Sequence, residues 1–388
     1  MNFQRLIASH LKQDLTKKII LLSGPRQVGK TTLAKKLSSS FDYLNFDDED
    51  DRKSILARRW DRKKDLLILD EIHKMNKWKS WLKGIYDKEG IHPQILVTGS
   101  ARMDIVRKMG DSLAGRHFQY QLFPLDLKEL AASGSENLET AYQNLLRFSG
   151  FPEPFGVGSE SFYTKWKRTH LDLILRQDIV TLEAVRDISS IETLLFMLQA
   201  RVAAPFSYAS VAQDLQRDTK TIQRWIGILE NHYVLFRLQP YSRNIARSIL
   251  KEPKVYLYDY CRVEGDEGKV FENLVAVSLK KEVALLNEAV GIESSLHTLR
   301  IKGGREIDFL VLRKNRPAVL IEVKLSDSTP SPNFSVFRRY FPGCKQIQIV
   351  RNLSREFTTP DGIEVRSALP WLETLDLSKF ASDSAAHS

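Results

Sequence analysis

The chain has 388 residues, 43% of them apolar and 27% charged, with a formal net charge of +10. This is the make-up of a folded protein too long for one core, so two or three domains are expected, and the positive balance allows a polyanionic partner without requiring one. Two cysteines, Cys261 and Cys344, with no C-x-x-C spacing argue against a disulfide framework or a zinc site. No apolar run reaches the roughly 18–20 residues that span a bilayer, and residues 2–18 lack a signal-peptide core, which together point to a cytoplasmic protein.

Residues 3–15 read as a short amphipathic helix, and residues 19–22 as an apolar strand. The next stretch, Gly24-Pro25-Arg26-Gln27-Val28-Gly29-Lys30-Thr31-Thr32, fits G-x-x-x-x-G-K-[ST] and runs into a helix-forming segment. Glycines there let successive backbone N–H groups and a helix N-terminus wrap a chain of phosphates. Gly24, Gln27, Val28, Gly29, Lys30, Thr31 and Thr32 are therefore the expected nucleotide-binding residues, with Lys30 reaching the β- and γ-phosphates and the Thr31 hydroxyl ligating Mg²⁺. A further strand over 43–46 is followed by the acidic run 47–51, expected to be a solvated loop and helix face.

Residues 66–69 form a continuous apolar run ending in Asp70 and Glu71. Such a run suits a strand buried on both faces of a parallel sheet, whose ligands lie beyond the strand ends. Asp70 is the expected Mg²⁺-side carboxylate and Glu71 the group that polarises the attacking water. Trp78, Trp81, Leu82 and Ile85 recur at helical spacing and are expected in a core. Residues 94–100 form another buried strand, with Ser100, or else Thr98, placed to sense the γ-phosphate. Arg116, with Arg102 in reserve, is the candidate to stabilise transition-state charge, Arg116 acting on a neighbouring subunit.

From 126 to about 186 the pattern is helical, broken at 150–154, as for a lid over the nucleotide. Residues 207–238 read as helix–turn–helix with a wing. Asp218 or Thr219 caps a second helix whose Ile222, Trp225, Ile226 and Leu229 face inward, while Lys220, Gln223 and Arg224 face out, as in a helix entering a major groove. Over 201–260 there are nine Lys/Arg against five Asp/Glu. DNA is the expected partner of this face, with a plain protein–protein spacer as the alternative.

Two strands flank residues 313–317. Pairing symmetric about Asn315 would set Asp308 opposite Glu322, with Lys324 on the same sheet face. Two carboxylates at that spacing suit Mg²⁺ or Mn²⁺, and Glu272 adds a further ligand. The alternative is a lysine–carboxylate cluster that only holds the sheet together. A small, polar tail over 378–388 is expected to be disordered.

The chain resembles, almost end to end, the bacterial and archaeal predicted AAA+ ATPases with an uncharacterised C-terminal domain. GPRQVGKTT, LLILDEIHK, LVTGSAR and SLAGRHFQYQLFPL are similar to its ATPase motifs, and FSGFPEP, TIQRWIGILENHYVLFRLQPYSRN and EPKVYLYD to its later landmarks. KGGREIDFLV with IEVK resembles the PD-(D/E)xK nuclease core. One departure is Asp259-Tyr260-Cys261, where the family commonly has an Asp followed by small residues.

The expected fold is α/β: a P-loop AAA+-type parallel sheet (1–125), a helical lid (126–190), a winged helix (191–250) and a nuclease-like α/β domain (251–377). The resemblance implies ATP as substrate with Mg²⁺ as cofactor. The expected function is an ATP-hydrolysing, DNA-binding machine assembled as a homo-oligomer. The alternative is a nucleotide-switched regulator or scaffold with a degenerate nuclease-like domain.

Overall fold

A computed structural model describes residues 3–103, 113–135, 137–183, 185, 187–242, 252–301 and 304–380. Five strands, β1 (Ile19–Ser23), β2 (Phe41–Asn45), β3 (Leu66–Asp70), β4 (Gln94–Gly99) and β5 (His117–Gln121), form a parallel sheet in the order β2-β3-β4-β1-β5. The continuous apolar runs are explained by burial on both faces. Ile20, Leu22, Leu66, Ile68 and Leu96 pack on one side with Leu33 and Ala34 of the helix Lys30–Lys36. Ile19, Leu21, Leu67, Leu69 and Val97 pack on the other with Trp78, Leu82 and Ile85, and Trp81 lies against them. All five strands point the same way, so their C-terminal ends make one edge that gathers Ser23, Asp70, Gly99 and Gln121.

Helices dominate 127–183, and the segment Leu173–Ile179 is wound as a π-helix. The helices Tyr208–Asp214 and Thr219–Asn231 form the helix–turn–helix, and the Asp218 side chain caps the second by accepting from Thr221 N. Strand β6 (Leu235–Leu238) then pairs antiparallel with β7 (Lys254–Leu257). A boundary at 250/251 therefore cuts a hydrogen-bonded ribbon, because the partner strand of the wing lies beyond it. Residues 243–250 of the expected winged helix lie outside the described residues, as do Arg243, Arg247 and Lys251 of its basic count.

The third sheet is mixed: β8 (Ser294–Arg300), β9 (Glu306–Arg313), β10 (Arg316–Lys324), β11 (Lys345–Val350), β12 (Phe357–Thr358) and β13 (Ile363–Ser367), in the order β12-β13-β11-β10-β9-β8. The hairpin β9–β10 pairs Leu310 with Leu320 and Phe309 with Ile321, symmetric about Asn315, after a bulge between Pro317 and Val319. The helix Glu267–Leu285 is buried on nearly every side, from Phe271 through Val283. It joins the helices of 127–200, the helix–turn–helix, the ribbon and one face of this sheet into a single apolar cluster running from Phe123 to Leu377. The sequence boundaries at 190 and 250 thus do not separate independent cores. Of the expected disordered tail, Ser378 sits in the 3-10 turn Leu377–Lys379 and its carbonyl accepts from Arg313, while 381–388 lie outside the described residues. No described helix is long and apolar enough to cross a membrane.

Candidate nucleotide site and C-terminal carboxylate cluster

Gly24 follows β1 where its backbone passes close to β5. A Cβ there would lie 2.3 Å from the Leu122 carbonyl oxygen, so only glycine fits. Gly29, at φ 98°, turns the chain into the helix Lys30–Lys36. Lys30 folds back across this loop, and its Nζ donates to the carbonyls of Gly24 (2.9 Å) and Pro25 (2.8 Å). Burial holds the Lys30 ammonium below its ordinary pKa, against the pull of Glu71 and Asp70. Arg26 is pinned by Asp178 at 2.5 Å, a carboxylate 2% exposed on the π-helical segment. A residue of the helical segment Leu173–Ile179 therefore grips the phosphate loop.

Asp70 gathers three hydroxyls: Thr31 at 2.8 Å, Tyr43 at 2.9 Å and Thr98 at 2.5 Å. The Thr31 hydroxyl and the Asp70 carboxylate are hard oxygen donors in contact, which fits the Mg²⁺ that such a loop takes. Glu71 is in the left-handed region (φ 56°), an uncommon conformation for a non-glycine residue. Its carboxylate accepts from the Ser100 hydroxyl at 3.3 Å, and lies 3.6 Å from His73 Nε2 and 3.8 Å from Lys74 Nζ. Burial pushes the Glu71 carboxyl up to about 7, opposed by Lys30 and Lys74. Lys30, Thr31, Asp70, Glu71 and Ser100 open on one cavity of about 410 Å³, which Gln27, Gly29 and Thr32 also line. Val28 is fully buried behind the loop, and its carbonyl accepts from Arg5.

Of the two residues expected at the γ-phosphate, Ser100 donates to Glu71 and Thr98 to Asp70. Arg116 is elsewhere. It precedes β5 at the N-terminal edge of the sheet, where Asp87 holds it at 2.7 Å, so it is no part of its own chain's phosphate site. Arg102, just beyond β4, is at the correct edge, and its backbone N–H donates to the Asn231 carbonyl. Lys220 and Arg224 are exposed on the helix Thr219–Asn231. Arg26, Tyr43 and Asp178 were not singled out from sequence; Arg26 occupies a variable position of the loop motif, and the other two reach the site only through tertiary contacts.

The C-terminal residues also converge, with an unforeseen member. Lys254, 3% exposed on β7, places its Nζ 3.4 Å from Glu272, 3.4 Å from Glu306 and 3.3 Å from Asp308. The Tyr256 hydroxyl donates to Glu272 at 2.8 Å, Asp308 accepts from Val323 N at 2.9 Å, and Lys324 pairs with Glu322 at 2.8 Å. Burial, and then Asp308, raise both Glu272 and Glu322 above the ordinary carboxylate range. These residues do not fit a divalent ion as they stand, because a buried ammonium already sits among the carboxylates. Among the described residues no group of three or more His, Cys, Asp or Glu side chains is arranged to hold a metal.

Residues 16–131 match the family model described as an AAA domain. The chain carries an AAA domain. Beyond it, residues 139–261 and 267–368 match two domains of unknown function, DUF8612 and DUF4143. Among curated proteins, an uncharacterized protein of Methanocaldococcus jannaschii is 23% identical over 83% of this chain and 78% of its own length. One of Mycobacterium tuberculosis is 26% identical over 84% and 75%, and one of Haemophilus influenzae 21% identical over 91% and 94%. Among solved structures, the Aeropyrum pernix ORC1 protein in complex with DNA aligns with 70% of this chain and 90% of its own at 15% identity and a TM-score of 0.30. A STAND protein of Pyrococcus horikoshii aligns with 75% and 48% at 15% identity and a TM-score of 0.26.

Proposed function

We propose that this AAA-domain protein is a Mg²⁺-dependent ATPase. The observation that carries the reading is Glu71: a buried carboxylate whose pKa of about 7 suits a general base, opening on the same cavity as Lys30 and the Thr31–Asp70 pair. Nucleotide phosphates lie along the loop from Gly24 to Thr32. Lys30 exchanges its loop carbonyls for phosphate oxygens. Glu71 takes the proton of the attacking water, and Ser100 fixes the carboxylate that does so. Thr31 and Asp70 would hold Mg²⁺, which would supply neutralisation of phosphate charge there. A neighbouring cavity of about 460 Å³, bounded by Phe3, Pro152 and Val157, shares Gln27, Gly29, Thr32 and Glu153 with the first and offers an apolar slot for the nucleoside. ATP hydrolysis measured alone and with single-stranded, duplex and branched DNA tests this; no Glu71-dependent turnover under any of these conditions would overturn it.

In this reading Arg116 works in trans, because it lies at the far edge of its own sheet. Mixing Arg116→Ala with Glu71→Gln protein then partly restores turnover in a proven oligomer, since mixed assemblies contain some sites with both residues intact. No rescue at any ratio removes Arg116 from catalysis. The DNA reading rests on the exposed cations of the helix Thr219–Asn231. Reversing Lys220 and Arg224 to Glu should weaken DNA binding alike for every sequence, and wild-type affinity should fall steeply with salt. Unchanged affinity in the double reversal moves the contact elsewhere.

For the C-terminal module the geometry favours the second reading, a nuclease-like fold that no longer cuts. Lys254 supplies the positive charge that the carboxylates need, and it does so from within the chain.

A further inference from the structure

The C-terminal edge of the parallel sheet is not open beside the phosphate loop: the end of the helix–turn–helix sits on it. Tyr233 OH donates to Ser23 Oγ at 2.7 Å, at the end of β1 and next to Gly24. The Asn231 carbonyl accepts from Arg102 N at 2.8 Å, just beyond β4. Gln121, at the end of β5, donates to the Tyr258 hydroxyl at 2.9 Å, and the Tyr258 ring meets that of Tyr233 edge-on at 5.6 Å. Between them His232 is 1% exposed, and neither of its ring nitrogens has a hydrogen-bond partner. His73 stands beside Glu71 in the same condition. Burial, then Lys74 and His232, hold the His73 imidazole down at about 3, so the ring is neutral. Gly99 leaves room for it: a Cβ there would lie 2.6 Å from His73 Nδ1.

Two residues in this contact carry unusual backbone conformations. Tyr233 (φ 54°) and Glu71 (φ 56°) are both left-handed, which for a bulky side chain requires that the surroundings hold it. The turn Asn231–Tyr233 thus touches the end of β1, which leads into the phosphate loop, and the chain just beyond β4, next to Ser100. At its other end the same helix presents Lys220 and Arg224 to solvent.

We propose that Tyr233 is a positioning residue of the ATPase centre, and that through it the nucleotide site and the helix–turn–helix set each other's conformation. The inference rests on the ATPase reading above. Nucleotide entering the loop moves Ser23, and the turn Asn231–Tyr233 follows because Tyr233 is bonded to it. Reciprocally, a ligand that shifts the helix Thr219–Asn231 changes nucleotide affinity by the same factor.

The test uses the full chain. Tyr233→Phe deletes one hydroxyl and keeps the ring; Ser23→Ala deletes the acceptor. Each should lower kcat by about fivefold, the worth of one hydrogen bond, and the double variant should be no worse than either alone. Saturating ADP should slow amide exchange over 219–233 in the wild type and do so less in Tyr233→Phe. Strictly additive losses, wild-type kcat in Tyr233→Phe, or ADP-independent exchange over 219–233 would each overturn the proposal. If Tyr233→Phe unfolds, Ser23→Ala and the wild-type exchange measurement still decide. Turnover that is absent altogether counts against the ATPase reading instead, and the exchange arm then judges the coupling by itself.

Discussion

Glu71→Gln should bind ATP as the wild type does and hydrolyse it about 10²–10⁴-fold more slowly, the usual contribution of a positioned general base. The amide is isosteric and keeps an acceptor for Ser100, so the cavity and the Thr31–Asp70 pair survive. Lys30→Ala should behave differently and lose binding itself, because it removes the charge that spans the phosphate loop. The pH profile gives a second reading of the same group. The burial that raises Glu71 to about 7 leaves it half protonated near neutrality, so wild-type kcat should fall as pH drops below about 7. The measurement is steady-state turnover from pH 6 to 9 beside nucleotide-binding titrations of both variants. Equal turnover by Glu71→Gln and the wild type would remove Glu71 from the mechanism.

The second large effect lies at Lys254. Lys254→Met keeps the length and apolar stem and deletes the ammonium, leaving Glu272, Glu306 and Asp308 without their shared partner. Breaking a buried ion cluster from one side costs about 3–5 kcal/mol, far more than the loss of an exposed pair. Chemical denaturation of the two proteins measures it; a difference under about 1 kcal/mol would mean that water, and not Lys254, satisfies these carboxylates. The cluster also has a pH signature. Glu272 and Glu322 hold protons in the folded state that the unfolded chain has released, so their contribution is complete below the unfolded carboxylate value. It is lost as pH rises through about 7 for Glu322 and about 8 for Glu272. Mn²⁺ should not raise the wild-type melting temperature, since the cation position is taken. A Mn²⁺-dependent rise together with DNA cleavage, both lost in Asp308→Ala, would restore a working phosphodiesterase site.

What the sequence disclosed and what it hid divides along contact range. The phosphate loop, the Asp70–Glu71 strand end and Ser100 are local patterns, each a few residues long and each tied to a strand terminus, so the chain displays them directly. The hairpin that brings Asp308 near Glu322 is local too, and its register could be counted from Asn315 because the bulge disturbs only the turn end. Lys254 stands 54 residues from Asp308 and Tyr233 stands 210 from Ser23. Nothing in periodicity or spacing announces a partner at that separation. The partner of β6, beyond 250, is hidden for a related reason: a four-residue strand looks the same whether it opens a new domain or completes the previous ribbon. Arg116, expected to act on a neighbouring subunit, lies at the other end of the sheet from its own chain's phosphate loop, a placement that only the strand direction reveals.

The helix Glu267–Leu285 has a consequence for how such a chain can change over generations. A segment wrapped on nearly every side by lid, ribbon and sheet cannot be exchanged for a foreign module at the 261–267 junction without stripping apolar surface from both halves. Heritable variation that adds a new task is therefore confined to residues outside that cluster: the outward face of Thr219–Asn231, the hairpin turns and the rims of the two outer sheets. The halves have to drift together, as one piece.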